Sequence, residues 1–546
     1  MVKPPLGAVG RRNRCGTTAA TTFKAALLSL AAVMMCGCPV AVAADHAHKA
    51  AGEPVTFGAI AFENSCGRAV QAEFRAAVAM LHSFAAEAKQ FVDLVKHDPS
   101  CAIAWWGAAM AARGNPLAGE LDRDELKAGQ DYLAQAQPLK TSPRERAYLD
   151  AMEIYYREYP NGGQLARARA YEIAMERVFR SYPDDPEAAA FYGLAIVEAV
   201  DLNSRNYDQQ LKAGQVLEAL LARHPDHPGG LHYLIHAYDF APLAERGLPA
   251  ARRYARAAPA SYHARHMPAH IFTMLGLWDE SIRANRESNA VIDPDHADDA
   301  IGGDIAYMHA FDFIAYARLQ LAQDRQVAAD LAALRKAGRA ATLMQARYVL
   351  ERGDWQAATD LPPANDAGFD GVTAHLARGL GAARLGEVNA ARTELGALQA
   401  LRGAVEQASG AYWAGLVDIY ARTLDGWIAK ADGRPDDGLK AISEAADLDD
   451  AREKSIEMEN KLLQIRELLG EYLLEIGRPV AAEVAFAKSL QNAPNRYRSF
   501  LGAARAARAA GDVPKARGYY GELLTLTLKA DSRSQEIAEA REYLAQ

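Results

Sequence analysis

Four histidines set the chemistry that this chain could do. His232 and His236 are four residues apart, as are His266 and His270, and the second pair follows the first by 34 residues at both positions. Helical residues four apart share a face, and 34 residues is the period of a two-helix hairpin repeat. The same two places in consecutive hairpins therefore carry imidazole. Packed helices have axes about 8–10 Å apart, close enough for both pairs to point into one space. Neutral imidazole nitrogens suit Zn²⁺ or Cu²⁺. Four would close a tetrahedron, and three with a water would leave an open catalytic position.

Other readings remain open. Such histidines can be solvated polar side chains, can hydrogen-bond an acidic neighbour such as Asp239, or can hold a peptide carboxylate. Their duplication at the repeat period is what argues for a metal. Pro268, between His266 and His270, complicates the geometry. An interior proline removes a helical hydrogen bond and costs about 3 kcal/mol, so the helix is expected to begin or kink there, with ideal i,i+4 geometry lost for 266/270. His82 and His309 rank lower as metal ligands, with core or capping roles expected first. Asp312, three residues after His309, is placed to orient it. His224 and His227 fall in a Pro-rich turn and are expected to be exposed. Asp293, Asp295, Asp298 and Asp299 lack the glycine of a calcium loop. Trp105, Trp106, Trp278 and Tyr307 read as core.

The elements that must position these residues are helices. The chain has 546 residues, 50% of them apolar, too long for one ordinary domain. Alanine is abundant and β-branched runs are scarce, which favours close-packed helices. Helix-stopping X-Pro pairs recur at Pro99, Pro183, Pro225, Pro259 and Pro294, the last three spaced by 34 and 35 residues. In the C-terminal part Gly433, Gly477 and Gly511 each open a turn. Small residues (Gly438, Ala482, Ala516) follow five later, and large ones (Ile442, Phe486, Tyr520) four further on. Gly386 and Ala391 begin the same way. Small residues let the helices of a hairpin approach; the large residue fills the gap between hairpins.

This spacing resembles the tetratricopeptide repeat over most of the chain, less well at 115–170 and 325–380. SCGRAVQAEFRAAVAMLHSF, HPDHPGGLHYLIHAYD and APASYHARHMPAHIFTMLGLWDESIRAN further resemble a group of exported bacterial proteins of that type, across about residues 60–520. The chain departs from the group at Ala85-Ala86, where bulky aromatics are usual. The resemblance implies an all-α fold, a right-handed α-solenoid of hairpins with a concave groove, and export. With Gly276 opening a turn, it also implies that His232, His236, His263, His266 and His270 face that groove.

Residues 1–44 read as an export signal: five basic residues, no acid before Asp45, an apolar stretch from Ala25 to Val42, and small residues Ala41-Val42-Ala43 for cleavage near Ala43/Ala44. Pro39 disfavours a retained anchor, and Cys36 and Cys38 lack the lead-in of a lipoprotein. Loss of those five positive charges takes the net charge from −8 to −13. An acidic body disfavours nucleic acid as a partner. Of the cysteines, Cys66 and Cys101 remain, 35 apart and so on adjacent hairpins. An oxidising compartment would allow them a disulfide; the alternative is two buried thiols. No GxSxG, HExxH, Walker loop, GxGxxG or CxxC occurs, which argues against common hydrolases, nucleotide binding and thioredoxin chemistry.

The expected organisation is a leader (1–44), an N-terminal array carrying the histidines (45–324), an irregular helical connection (325–380) and a C-terminal array (381–546). The expected protein is a periplasmic or secreted scaffold with no membrane span after cleavage, binding a protein or peptide in its groove and holding Zn or Cu at its histidines. The alternatives are a metal-dependent enzyme acting on a small substrate in the groove, and a scaffold without metal.

Overall fold

The computed structural model describes residues 56–546 apart from 118, 158–162, 203–204, 293–304, 340, 363–367, 455–459 and 533. The leader, Cys36, Cys38 and the four aspartates at 293–299 lie outside the described residues. Among the described residues the fold is all-α, with no strand. It is an α-solenoid of tetratricopeptide-like hairpins. Helices adjacent in sequence pack on each other, and first helices of consecutive hairpins also touch: Pro186–Glu198 against Pro228–Tyr238, Phe369–Leu385 against Ala411–Ala431, and Ile465–Glu475 against Tyr497–Ala509.

Local sequence sets the helix ends. Asp122 and Ser142 open helices with reciprocal capping boxes to Glu125 and Glu145. Pro143, Pro186 and Pro228 each occupy the first turn behind a capping side chain, where no amide hydrogen is needed. The glycines expected to open turns do so in the left-handed conformation, with φ of +82° at Gly386, +78° at Gly433, +75° at Gly477 and +77° at Gly511. In the irregular stretch the chain forms the helices Asp324–Lys336, Thr342–Glu351 and Trp355–Thr359. The connection expected to stay irregular to residue 380 already contains the start of a continuous helix, Phe369–Leu385.

Small-to-large packing between hairpins is explicit at Phe486. Its buried ring lies between two glycines. A Cβ on Gly470 would sit 2.8 Å from it, and one on Gly502 2.2 Å. At the other end Cys66 and Cys101 are joined by a disulfide, with Cα atoms 4.5 Å apart.

The solenoid curls far enough for its C-terminal half to touch its N-terminal half. Trp278 Nε1 donates to the Asn495 carbonyl at 2.8 Å. The guanidinium of Arg496, fully buried, binds Tyr316 Oη, Glu351 and Glu467. Arg347, equally buried, joins Asp312 to the carbonyls of Asn460 and Lys461. Farther toward the middle, Arg205 pairs with Glu453 and Lys454 with Asp239. No described helix is long and apolar enough to cross a membrane.

Gly502→Ala should lower stability by about 1–3 kcal/mol, because an overpacked core has to shift a buried ring. Urea unfolding of the variant checks this, and an unchanged midpoint would refute the packing account.

Candidate metal centre

The four histidines singled out by spacing, with His263 added by the repeat resemblance, come together with His309 in one contiguous cluster. His232 and His236 lie on Pro228–Tyr238. His227 opens that helix, its Nδ1 accepting the Gly230 amide at 3.1 Å. His263 and His266 lie on the short helix Tyr262–His266, which Ser261 caps through the Ala264 amide. His270 lies on Pro268–Met274. Pro268 divides these two helices by taking the first position of the second. The break does not cost the pair its geometry: the His266 and His270 rings are 4.9 Å apart, against 4.7 Å for His232 and His236. His309 comes from Ile305–Gln320.

Potential ligand atoms gather in two sets of three, His232/His236/His263 and His266/His270/His309, each within 4.8 Å. In the second set, His266 Nε2 and His270 Nε2 are 3.0 Å apart. Each ring is fixed from behind. His266 Nδ1 lies 2.6 Å from Asn285 Oδ1, and the Asn285 amide nitrogen donates to the Ser281 carbonyl, so an oxygen faces the imidazole. His270 Nδ1 lies 2.9 Å from the Asp239 carboxylate. Both Nδ1 atoms must therefore carry hydrogen and donate, which leaves a lone pair on each neutral Nε2. Two lone pairs at 3.0 Å repel unless a cation or an extra proton sits between them. Ligands at about 2.0–2.1 Å on a tetrahedral ion are about 3.3 Å apart, so the spacing fits coordination.

The first set repeats the arrangement. His232 Nδ1 lies 2.6 Å from the His82 carbonyl, which points its Nε2 lone pair at His236 Nε2 and His263 Nε2, both 3.0 Å away. One lone pair accepts one good hydrogen bond, so a proton satisfies one contact and leaves the other.

Burial favours the neutral form of five of these rings. His232, His236, His263 and His266 are pushed well below the usual imidazole range, by desolvation first and neighbouring imidazoles second. His309 is held down at about 4 by the same causes. The expectation of an open groove is corrected here. His232 is fully buried, and His236, His266 and His270 are at most 4% exposed. The returning chain roofs them: Lys454 Nζ reaches Asp239 Oδ2 at 2.8 Å, and the same oxygen takes His270 Nδ1. Rings complete the shell. Phe84, at a left-handed φ of +51°, lies 4.6 Å from His232, and Phe313 lies 5.0–5.3 Å from His266, His270 and His309. Sequence reasoning missed Phe84 and Lys454. The only signal near Phe84 was the departure at Ala85-Ala86 beside it.

Other expectations resolve differently. The His82 side chain stands apart from the cluster, with Nε2 2.7 Å from Glu187 and Nδ1 3.0 Å from Tyr233 Oη. His227, expected in solvent, is 5% exposed and joins the same carboxylate at 3.2 Å. This second group has a hydrogen-bond partner at every ring nitrogen, so its structure is explained without a metal. Gly229 makes room for it, since a Cβ there would lie 2.3 Å from His82 Nδ1. Asp312 binds Arg347 and Asn460 rather than orienting His309. Trp106, Trp278 and Tyr307 are buried core, while Trp105 is half-buried.

No family model matches the chain, and no curated protein matches it. Among solved structures it is similar to a human IFIT1 dimer with PPP-AAAA (12% identity, 83% of this chain and 95% of that one, TM-score 0.32). It is also similar to a monomeric IFIT1 mutant with Gppp-AAAA (12%, 85% and 94%, 0.35). A third is the P58(IPK) TPR domain (15%, 66% and 98%, 0.21).

The neutral histidines impose a pH dependence. The unfolded chain, with imidazole pKa near 6.5, binds more protons than the folded chain below that value, so stability falls as pH falls. Each such histidine contributes roughly 1.4 kcal/mol per pH unit to the loss, down to its folded pKa, about 4 for His309. The EDTA-treated protein should unfold at markedly lower urea at about pH 5.5 than at about pH 7.5; equal midpoints would mean that the rings are not held neutral.

Proposed function

We propose that this protein is an exported helical-repeat protein whose interior histidines hold a transition metal, copper or zinc. The observation that carries this is the His266–His270 contact: two Nε2 lone pairs 3.0 Å apart, each fixed by an Nδ1 donor to an oxygen behind it. A donor behind each ligand imidazole is the usual outer shell of a histidine metal site. A shared proton is the competing explanation. It would place an imidazolium beside Asp239, whose charge Lys454 already offsets. Export is supported by the basic-apolar leader and by the Cys66–Cys101 disulfide, since such bonds persist in periplasmic or secreted proteins.

Three histidines leave a position for a small substrate, which supports a metal-dependent enzyme. A scaffold role has a separate location. A cavity of about 580 Å³ between the C-terminal hairpins and residues 319–355 is lined by Trp355, Arg384, Glu471, Tyr497, Arg498 and Arg505. Its arginines are paired with acids, Arg384 with Glu471 at 3.0 Å and Arg505 with Glu539 at 2.7 Å. A protein or peptide partner fits this polar, charge-balanced cavity better than the roofed histidines.

Mature protein purified without chelating resin should retain at least one copper or zinc per chain by elemental analysis. The double variant His266→Ala/His270→Ala should lose metal while keeping its helical circular dichroism. Metal-free wild type, or a variant that keeps the full metal content, would sink the assignment.

A further inference from the structure

Neither set of three histidines stands alone. His236 and His270, one from each set, have ring centroids 6.3 Å apart, and His263 and His266 are 6.4 Å apart. Distances inside the sets are no shorter for some pairs: 6.5 Å for His236 and His263, 6.4 Å for His270 and His309. The two sets are therefore adjacent halves of one six-imidazole chamber. From this geometry, and resting on the metal reading above, we propose that the chamber is a two-copper centre that takes up dioxygen between its metals.

Charge selects the metal. All six proposed ligands are imidazoles, which bind a metal through an uncharged nitrogen. The carboxylate bound behind them, Asp239, is shared between His270 and Lys454. Two divalent ions would bring four positive charges into a largely buried space where, among the described residues, the ligand sets contain no carboxylate, and the desolvation cost of a buried ion is of the order of several kcal/mol even after relaxation. Two cuprous ions bring half that charge, and imidazole suits copper. Zinc has no monovalent state to offer.

Charge also selects the ligand. Oxidising both ions to the cupric state would double the buried charge unless an anion entered with the electron loss. Dioxygen supplies that anion: each Cu(I) gives one electron, O₂ becomes O₂²⁻, and the product is two Cu(II) bridged by peroxide. The atoms and electrons balance, no proton is needed, and the net charge of the centre is the same before and after. The surroundings suit a small apolar gas rather than a hydrated anion. Phe84 covers the first set and Phe313 the second.

The test uses the full mature chain, loaded anaerobically with Cu(I), then exposed to oxygen. Elemental analysis should give two coppers per chain. Oxygen should produce a peroxide-to-copper charge-transfer band, with the electron spin resonance of the cupric pair largely silent through coupling. His309→Ala and His236→Ala, which each remove one ligand from a different set, should each lower the copper content toward one and abolish the band. Using both guards against one variant simply misfolding. One copper per chain in the wild type, or two with the full spin intensity of isolated ions, would overturn the paired centre while leaving the metal site standing. Two coppers with no oxygen-dependent band would overturn dioxygen as the ligand. No bound copper or zinc would overturn both this proposal and the metal reading beneath it.

Discussion

The arrangement of the interior depends on imidazole rings locked from behind. An oxygen acceptor at Nδ1 dictates which nitrogen carries the proton, and so decides what the opposite nitrogen presents to the chamber. The His82 carbonyl, Asn285 and Asp239 play this part for His232, His266 and His270. Each acceptor has its own support. Asn285 is oriented by the Ser281 carbonyl. His82 is held by Glu187 and Tyr233, and can reach its place because residue 229 is glycine. The His82–Glu187–His227 group thus serves the centre through a backbone atom, although its side chains lie outside it.

That locking requires dryness, and the solenoid's curl provides it. An open superhelix would leave these positions on a wet concave face, where water would satisfy every imidazole and no lone pairs would be forced together. Contacts from Glu453 and Lys454 to Arg205 and Asp239, and from Asn495 to Trp278, bring the second half of the chain across that face. The buried Lys454–Asp239 pair gains little stability by itself, since burying two charges offsets much of their attraction. Its effect is positional: it fixes the carboxylate that holds His270.

Much of this was legible in the sequence. Glycines and prolines at the repeat period gave the hairpins, and the duplicated four-residue spacing gave His232, His236, His266 and His270, because helix periodicity is a local property. His309 was harder to see. It stands 39 residues after His270 and so falls off the 34-residue register. Lys454 was not readable at all. It meets Asp239 across 215 residues, a separation that only the superhelical curvature determines. The burial of the cluster was missed for the same reason. The expected harm from Pro268 was overstated, since two short helices meeting at a proline still present His266 and His270 toward each other.

The closure by residues near 454 carries a consequence for the life history of the molecule. Every proposed ligand lies at or before residue 309 in the chain, so hairpins that fold in chain order would bring all six imidazoles together before the covering segment docks. An ion acquired at that stage would enter a wet, shallow site with ordinary exchange rates. Once the C-terminal hairpins fold across, the same ion would be enclosed, and its departure would require the two halves to part. Acquisition and release would then follow different routes, and the occupant would be fixed by what was present during assembly as much as by equilibrium affinity.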